Sequence, residues 1–183
     1  MNVAVCDYGA GNLRSVVVAF GRLGVDARAT SSPSDVASAD LAVLPGVGSA
    51  ATAMTGLRER GLDTALRERV ADSGPTLGIC LGLQLALEES EEDGGVACLG
   101  ILPGRAVRLQ TERVPRIGWA AVDPGGEAFY FAHSYAAETP AAVARSEGIV
   151  AAAEVGSFLG VQFHPEKSGA AGARFLARCL SRA

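Results

Sequence analysis

The chain is poor in the residues that build disulfide or metal frameworks. Four cysteines and two histidines are spread over 183 residues. Cys6, Cys80, Cys98 and Cys179 lie far apart, and no Cys-x-x-Cys pair occurs. A disulfide scaffold and a zinc knuckle both fit poorly, and no metal or cofactor is expected. No apolar run reaches the roughly 18 residues that a membrane span needs. Basic residues are outnumbered, sixteen against twenty, giving a net charge of −4, which argues against a broad nucleic-acid surface. Lysine is almost absent: Lys167 stands alone among fifteen arginines. That bias reads first as the codon usage of a GC-rich genome. Met1 to Cys6 holds no basic stretch before an apolar run, so no secretion signal is expected, and the expected compartment is the reducing cytosol. A cysteine that does chemistry there does it alone, as a thiolate.

What is present is enough for a real core. Nearly half the residues, 49%, are hydrophobic and the mean hydropathy is +0.24, which excludes a disordered chain. The length suits one domain, residues 1–183. The first half alternates strand and helix. Val3–Cys6 reads as a strand closed by Tyr8-Gly9-Ala10-Gly11, and Leu13, Val16, Val17 and Phe20 recur at helical spacing. Val25–Ala29, Leu41–Leu44 and Thr76–Ile79 read as further strands. Two short helices fill Ala50 to Ala71, and an apolar helix runs from Leu81 to about Glu88. This order predicts an α/β three-layer sandwich with a mainly parallel central sheet. In the second half, Leu109, Trp119–Val122, Phe129–Ala132, Ala141–Arg145, Ile149–Ala153 and Leu159–Phe163 read as short strands with few helices between them, which predicts antiparallel pairing. A last helix carries Phe175, Leu176, Cys179 and Leu180 on one face. The acidic stretch Glu88–Gly95 reads as a solvated loop.

The segment Leu77-Gly78-Ile79-Cys80-Leu81-Gly82-Leu83-Gln84 carries the most chemical information. An apolar strand runs into Gly-x-Cys-x-Gly and then a helix, the cysteine form of a nucleophile elbow. The sharp turn needs glycines so that neighbouring chain can pass close. The thiol then sits at a helix N-terminus, where the dipole favours a thiolate. The Leu81 amide is placed for an oxyanion. Cys6, at a strand end, and Cys179, on an apolar helix face, read as small buried hydrophobes; Cys98 is left undecided.

A thiolate nucleophile needs a base. His164 follows a strand and leads Pro165-Glu166, so a carboxylate is at hand to orient the imidazole. His133, in Phe131-Ala132-His133-Ser134-Tyr135, has no acid so close and is the weaker candidate. Leu44-Pro45-Gly46-Val47-Gly48-Ser49 follows a strand and offers backbone amides for an oxyanion. Gly46-x-Gly48-x-x-Ala51 also matches a loose dinucleotide fingerprint. It sits on the wrong strand, though, with no acid-ended strand about twenty residues on, and nucleotide binding is discounted.

These residues, together with Tyr8-Gly9-Ala10-Gly11-Asn12-Leu13-Arg14-Ser15, Ile117-Gly118-Trp119 and Gly160-Val161-Gln162-Phe163-His164-Pro165-Glu166-Lys167-Ser168, resemble class I (triad) glutamine amidotransferases over nearly the whole chain. The similarity points within that family to glutaminase subunits of imidazole glycerol phosphate synthase. It implies a flavodoxin-like fold, and it implies that Cys80 attacks the glutamine side-chain amide while His164 carries the proton and Glu166 orients His164. Val47, Gly48 and Leu81 would hold the oxyanion. Gly46, Gly48, Gln84, Ser134 and Tyr135 would contact glutamine. Ammonia would pass to a cyclase subunit with a TIM-type barrel, met by Asn12, Trp119 and Lys167. The family usually reads Pro-His-x-Gly-Trp-Asn where this chain has Pro115-Arg116-Ile117-Gly118-Trp119-Ala120. Two other readings remain open on sequence: a glutaminase for a different synthase, such as that of pyridoxal phosphate, or a catalytically idle α/β interaction module.

Overall fold

The computed structural model describes residues 1–183 except Ala10, so the turn expected at Tyr8–Gly11 lies partly outside the described residues. The first half follows the alternation read from sequence. It runs β1 (Asn2–Cys6), α1 (Leu13–Gly21), β2 (Asp26–Thr30), α2 (Pro33–Ser38), β3 (Leu41–Leu44), α3 (Ala50–Glu59), α4 (Leu62–Ala71), β4 (Thr76–Ile79) and α5 (Leu81–Ala86). The second half is β5 (Glu89–Ser90), β6 (Val96–Ala97), β7 (Arg105–Arg108), β8 (Arg116–Val122), β9 (Glu127–His133), β10 (Tyr135–Glu138), β11 (Ala142–Ser146), β12 (Ile149–Val155), β13 (Phe158–Val161) and α6 (Gly169–Leu180). Short 3-10 turns form at Glu92–Gly94 and Pro165–Lys167.

The main sheet has seven strands in the order β11-β12-β13-β4-β3-β1-β2. β2, β1, β3, β4 and β13 pair in parallel, and β12 is antiparallel to both β13 and β11. The expected mixture of parallel and antiparallel pairing is therefore present in one sheet. Side-chain alternation splits its core in two. Val3, Val5, Leu41, Val43, Leu77 and Ile79 face one way and pack with Val16, Phe20, Leu176 and Leu180 of α1 and α6. Ala4, Cys6, Ala42 and Leu44 face the other way, against Val36, Met54, Leu57, Leu62, Leu66, Leu81 and Leu85 of α2–α5. Phe20 and Phe131 are fully buried, each contributing about 2–3 kcal/mol.

The structure corrects several boundaries. The α2 helix was not anticipated. Its start signal, a Ser32 cap accepting from the Asp35 N–H with Pro33 next, is present, but six residues are too short for periodicity to show. The α5 helix stops at Ala86, not near Glu88. Leu109 lies outside any strand; β7 precedes it, its apolar Ala106 and Val107 flanked by arginines that masked the pattern. The β10 strand was missed. Leu159–Phe163 shrinks to a strand ending at Val161, because Phe163 leaves the ladder to stack on Phe129 at 4.1 Å. The acidic stretch Glu88–Gly95 is not a plain solvated loop. It contains β5 and a 3-10 turn, with Ser90 buried.

Candidate active site

The elbow is built by close approaches that only glycine allows. Cys80 has φ 54° and ψ −106°, a strained conformation for a non-glycine residue. A Cβ on Gly82 would stand 1.9 Å from the Leu44 carbonyl oxygen, and one on Gly78 would meet the Phe158 ring at 2.7 Å. The helix therefore starts directly over the ends of β3 and β4. Leu81 is its first residue, so its N–H has no intrahelical acceptor.

β13, read from sequence among the antiparallel strands, is antiparallel to β12 but parallel to β4, and the parallel pairing brings the chain after β13 to the sheet edge of the elbow. His164 is held there by its own N–H to the Tyr130 carbonyl at 2.8 Å. Ser168 fastens the turn: its hydroxyl donates to the His164 carbonyl at 2.6 Å and accepts from the Tyr130 N–H at 3.0 Å. The His164 Nδ1 meets Glu166 Oε1 at 2.8 Å, with both side chains almost completely buried. The second oxygen of Glu166 has no partner. Burial lowers the pKa of His164, but hydrogen bonding and charge attraction from Cys80 and Glu166 outweigh it and hold the group up at about 9. A protonated imidazole beside a thiol is the setting that favours a thiolate.

The sulfur of Cys80 opens into a cavity of about 250 Å³ lined by Val47, Gly48, Cys80, Leu81, Gln84, Glu92, Pro115, Ile117, Ala132, His133, Ser134 and Tyr135. Most of the residues expected at the glutamine site are thus brought together. Gly46 is not among them. It lies behind the loop, where an added Cβ would press on Leu81 at 2.6 Å and on the Tyr8 hydroxyl at 2.8 Å. Tyr8 itself donates to the Pro45 carbonyl at 2.8 Å and so fixes the loop from below. Gly48 sits at φ 103°, which favours glycine.

Sequence reading missed Glu92, the one carboxylate lining the cavity. Its Oε2 accepts from the Ala50 N–H at 2.8 Å, at the start of α3, and burial raises its pKa. An acidic run gave no hint of this, because the contact joins residues 42 apart in sequence.

The remaining histidine and cysteines occupy different settings. Burial first, and the charge of Arg116 beyond it, lower His133 to about 4, so it is neutral at pH 7. Its Nδ1 faces the Tyr135 carbonyl at 2.8 Å and its Nε2 is buried without a partner among the described residues. Burial pushes the thiols of Cys6 and Cys179 up to about 12. Cys98, undecided on sequence, is buried, donates to the Val96 carbonyl at 3.4 Å and is pushed up to about 11.

Comparison with known proteins agrees with this geometry. The family described as glutamine amidotransferase class-I matches residues 4–183. The chain belongs to the class-I glutamine amidotransferases. It is 44% identical over 186 residues to the imidazole glycerol phosphate synthase subunit HisH of Methanothermobacter thermautotrophicus, covering 93% of both chains. It is 41% identical over 194 residues to the protein of that name from Chlorobaculum tepidum, covering 95% of this chain and 96% of the relative. Among solved structures, a glutamine amidotransferase superposes with a TM-score of 0.81 at 22% identity, covering 98% and 97% of the two chains. PurLQS from Thermotoga maritima gives a TM-score of 0.76 at 16% identity, over 98% and 97%. At those identities the structures show the fold alone.

Beyond the cavity, this class-I amidotransferase displays its other singled-out residues on the surface. Trp119 is 59% exposed and packs edge-on to Tyr130, with ring centroids 6.2 Å apart. The Lys167 ammonium lies 5.9 Å from the same ring, so Trp119 and Lys167 flank Tyr130. Asn12 is exposed at the start of α1, accepting from the Ser15 hydroxyl at 2.9 Å, and α1 packs on the 165–167 turn. Arg116, which stands where the family usually has histidine, lies over the Phe131 ring at 4.3 Å and donates to Ser146 and Glu147. Ala120 makes no contact that explains the loss of the usual asparagine.

Proposed function

We propose that this chain is the glutaminase subunit of imidazole glycerol phosphate synthase, acting as one glutamine amidotransferase domain over residues 1–183. The observation that carries the reading is His164 bonded to Glu166 and interacting with Cys80, which itself lines a cavity shared with Val47 and Gly48. Relatives at 40–44% identity over nearly the whole chain bear the name of that subunit.

The chemistry follows from the geometry. With Glu166 on Nδ1, the Nε2 of His164 serves the sulfur. The Cys80 thiolate attacks the side-chain carbonyl carbon of glutamine. The resulting oxyanion is held by the amides of Val47 or Gly48 and of Leu81; a single such donor lowers the barrier by about 3–4 kcal/mol. The imidazolium gives its proton to the departing nitrogen, the C–N bond breaks, ammonia leaves and a γ-glutamyl thioester remains. His164, now neutral, takes a proton from water as the water attacks the thioester. The C–S bond breaks, releasing glutamate and restoring the thiolate–imidazolium pair. Gln84, Ser134, Tyr135 and Gly48 contact the amino-acid end of the substrate, and the Glu92 carboxylate suits its α-ammonium. Gly46 supports the loop from outside the cavity. Every step uses groups of this chain.

Ammonia then passes to a barrel-type cyclase subunit across the surface bearing Asn12, Trp119 and Lys167. There it reacts with a phosphorylated ribulosyl intermediate, which splits to give imidazole glycerol phosphate and aminoimidazole carboxamide ribotide. A cytosolic setting accords with this, since all four cysteines are free. The test is to mix the chain with the cyclase and its phosphorylated ribulosyl substrate, and to supply glutamine labelled at the amide nitrogen in the presence of excess unlabelled ammonium. The label should enter the imidazole product. Product carrying only unlabelled nitrogen, or glutamate release that ignores the cyclase, would sink the assignment.

A further inference from the structure

One hydrogen-bond chain in the site is not used by the mechanism above. The Tyr135 carbonyl, which can only accept, is reached by His133 Nδ1 at 2.8 Å and by Gln84 Nε2 at 2.8 Å. It therefore fixes both donors: His133 carries its proton on Nδ1, and the Gln84 amide presents its nitrogen. The same nitrogen donates at 3.1 Å to the Oε1 of Gln162. That contact fixes Gln162 in turn, so its Nε2 is the atom facing Cys80 Sγ, at 3.5 Å. Gln162 is fully buried, directly between the end of β13 and His164. A buried amide with both ends paired is an ordered group, and its one link to the reacting atom is an N–H pointed at sulfur.

The sulfur has a second neighbour of opposite character. The Ala132 carbonyl, 3.8 Å away, accepts the S–H proton when the thiol is neutral. An acceptor favours the thiol and an N–H donor favours the thiolate. Gln84 spends both of its N–H groups on Tyr135 and Gln162, so its Oε1 is what it offers to the cavity it lines. A donor bound there polarises the Gln84 amide, which strengthens its donation to Gln162 and that of Gln162 to sulfur.

We propose that Gln162 is a donor to the Cys80 thiolate and that it couples this sulfur to occupancy of the glutamine cavity through Gln84. The proposal rests on Cys80 being the nucleophile. It assigns to Gln162 a role beyond filling space. It also makes Gln84 act on the rate of the chemical step as well as on substrate binding.

The test is site-resolved alkylation by iodoacetamide at pH 7, read by mass spectrometry, alongside glutaminase kinetics with the cyclase present. Gln162→Met keeps the volume and removes the donor. Cys80 labelling should fall about tenfold, the size of one hydrogen bond to a charged group, with kcat falling and KM unchanged. Gln162→Glu places a carboxylate at the sulfur and should fall further. Gln84→Met should lower labelling and raise KM in the parent, but in the Gln162→Met background it should change KM alone. Cys6, fully buried at the end of β1, reports folding, since it stays unlabelled while the core is intact. If Gln162→Met labels at all four cysteines it has unfolded, and Gln162→Asn, which withdraws the amide by one methylene, makes the same comparison. Labelling of Cys80 within about twofold of the parent in the folded variants would overturn the proposal. Glutaminase activity surviving in Cys80→Ala would instead overturn the nucleophile assignment on which it rests.

Discussion

Two histidines in one small site end up in opposite states, and the difference lies in their neighbours. Both are buried. His164 has Cys80 and Glu166 beside it to outweigh its burial and is held up at about 9, while burial first, and the Arg116 charge beyond it, take His133 down to about 4. The consequences for stability have opposite signs. The His164 contribution is fully present below its ordinary 6.5 and is lost as pH rises through about 9. For His133 the unfolded chain takes up a proton first, so stability is present above 6.5 and falls as pH drops toward about 4. Replacing His133 by Gln should flatten the decline of Tm between those pH values relative to the parent. An unchanged slope in a thermal-melt series would contradict the burial argument. At this scale much was legible in sequence. Cys80 was singled out by Gly-x-Cys-x-Gly, and His164 by the acid two residues on. Cys98 and Glu92 were not, because the atoms that bury them come from distant segments.

Elements carry the site through contacts at their ends. The first turn of α5 rests on the last carbonyl of β3, and the next residues of β3's chain form the Pro45–Ser49 loop. Gly82→Ala would drive a Cβ into the Leu44 oxygen and displace elbow and loop together. Destabilisation by about 3 kcal/mol is expected, visible in denaturant unfolding, with loss of glutaminase activity even in the folded fraction. A variant of parental stability and activity would show that the approach is not needed. Strands and helices of the first half were readable because long apolar runs alternate with turn residues. Short ones such as β5, β6 and β10 were not: they hold too few apolar residues to show a pattern, and their order β10-β7-β5-β6 is decided by tertiary neighbours.

For the molecule as a whole, sequence gives the class of sheet but not its order. The return of β13 beside β4 links residues some eighty positions apart, and that pairing places His164 at the elbow. Only long-range packing decides it, and from sequence this strand read as antiparallel. One face of the molecule displays Ile117 and Trp119, 64% and 59% exposed, next to Lys167 and Tyr130. The partner surface proposed above would include Trp119 and Lys167 on either side of Tyr130. The central claim remains that glutamine is opened by Cys80 through a thioester. Rapid acid quenching of the chain mixed with cyclase and glutamine, followed by site-resolved mass spectrometry, tests it most directly. The account predicts a γ-glutamyl adduct on Cys80 alone, with neither adduct nor glutamate from Cys80→Ala. Glutamate released by Cys80→Ala at the parental rate, or an adduct carried by another residue, would contradict it.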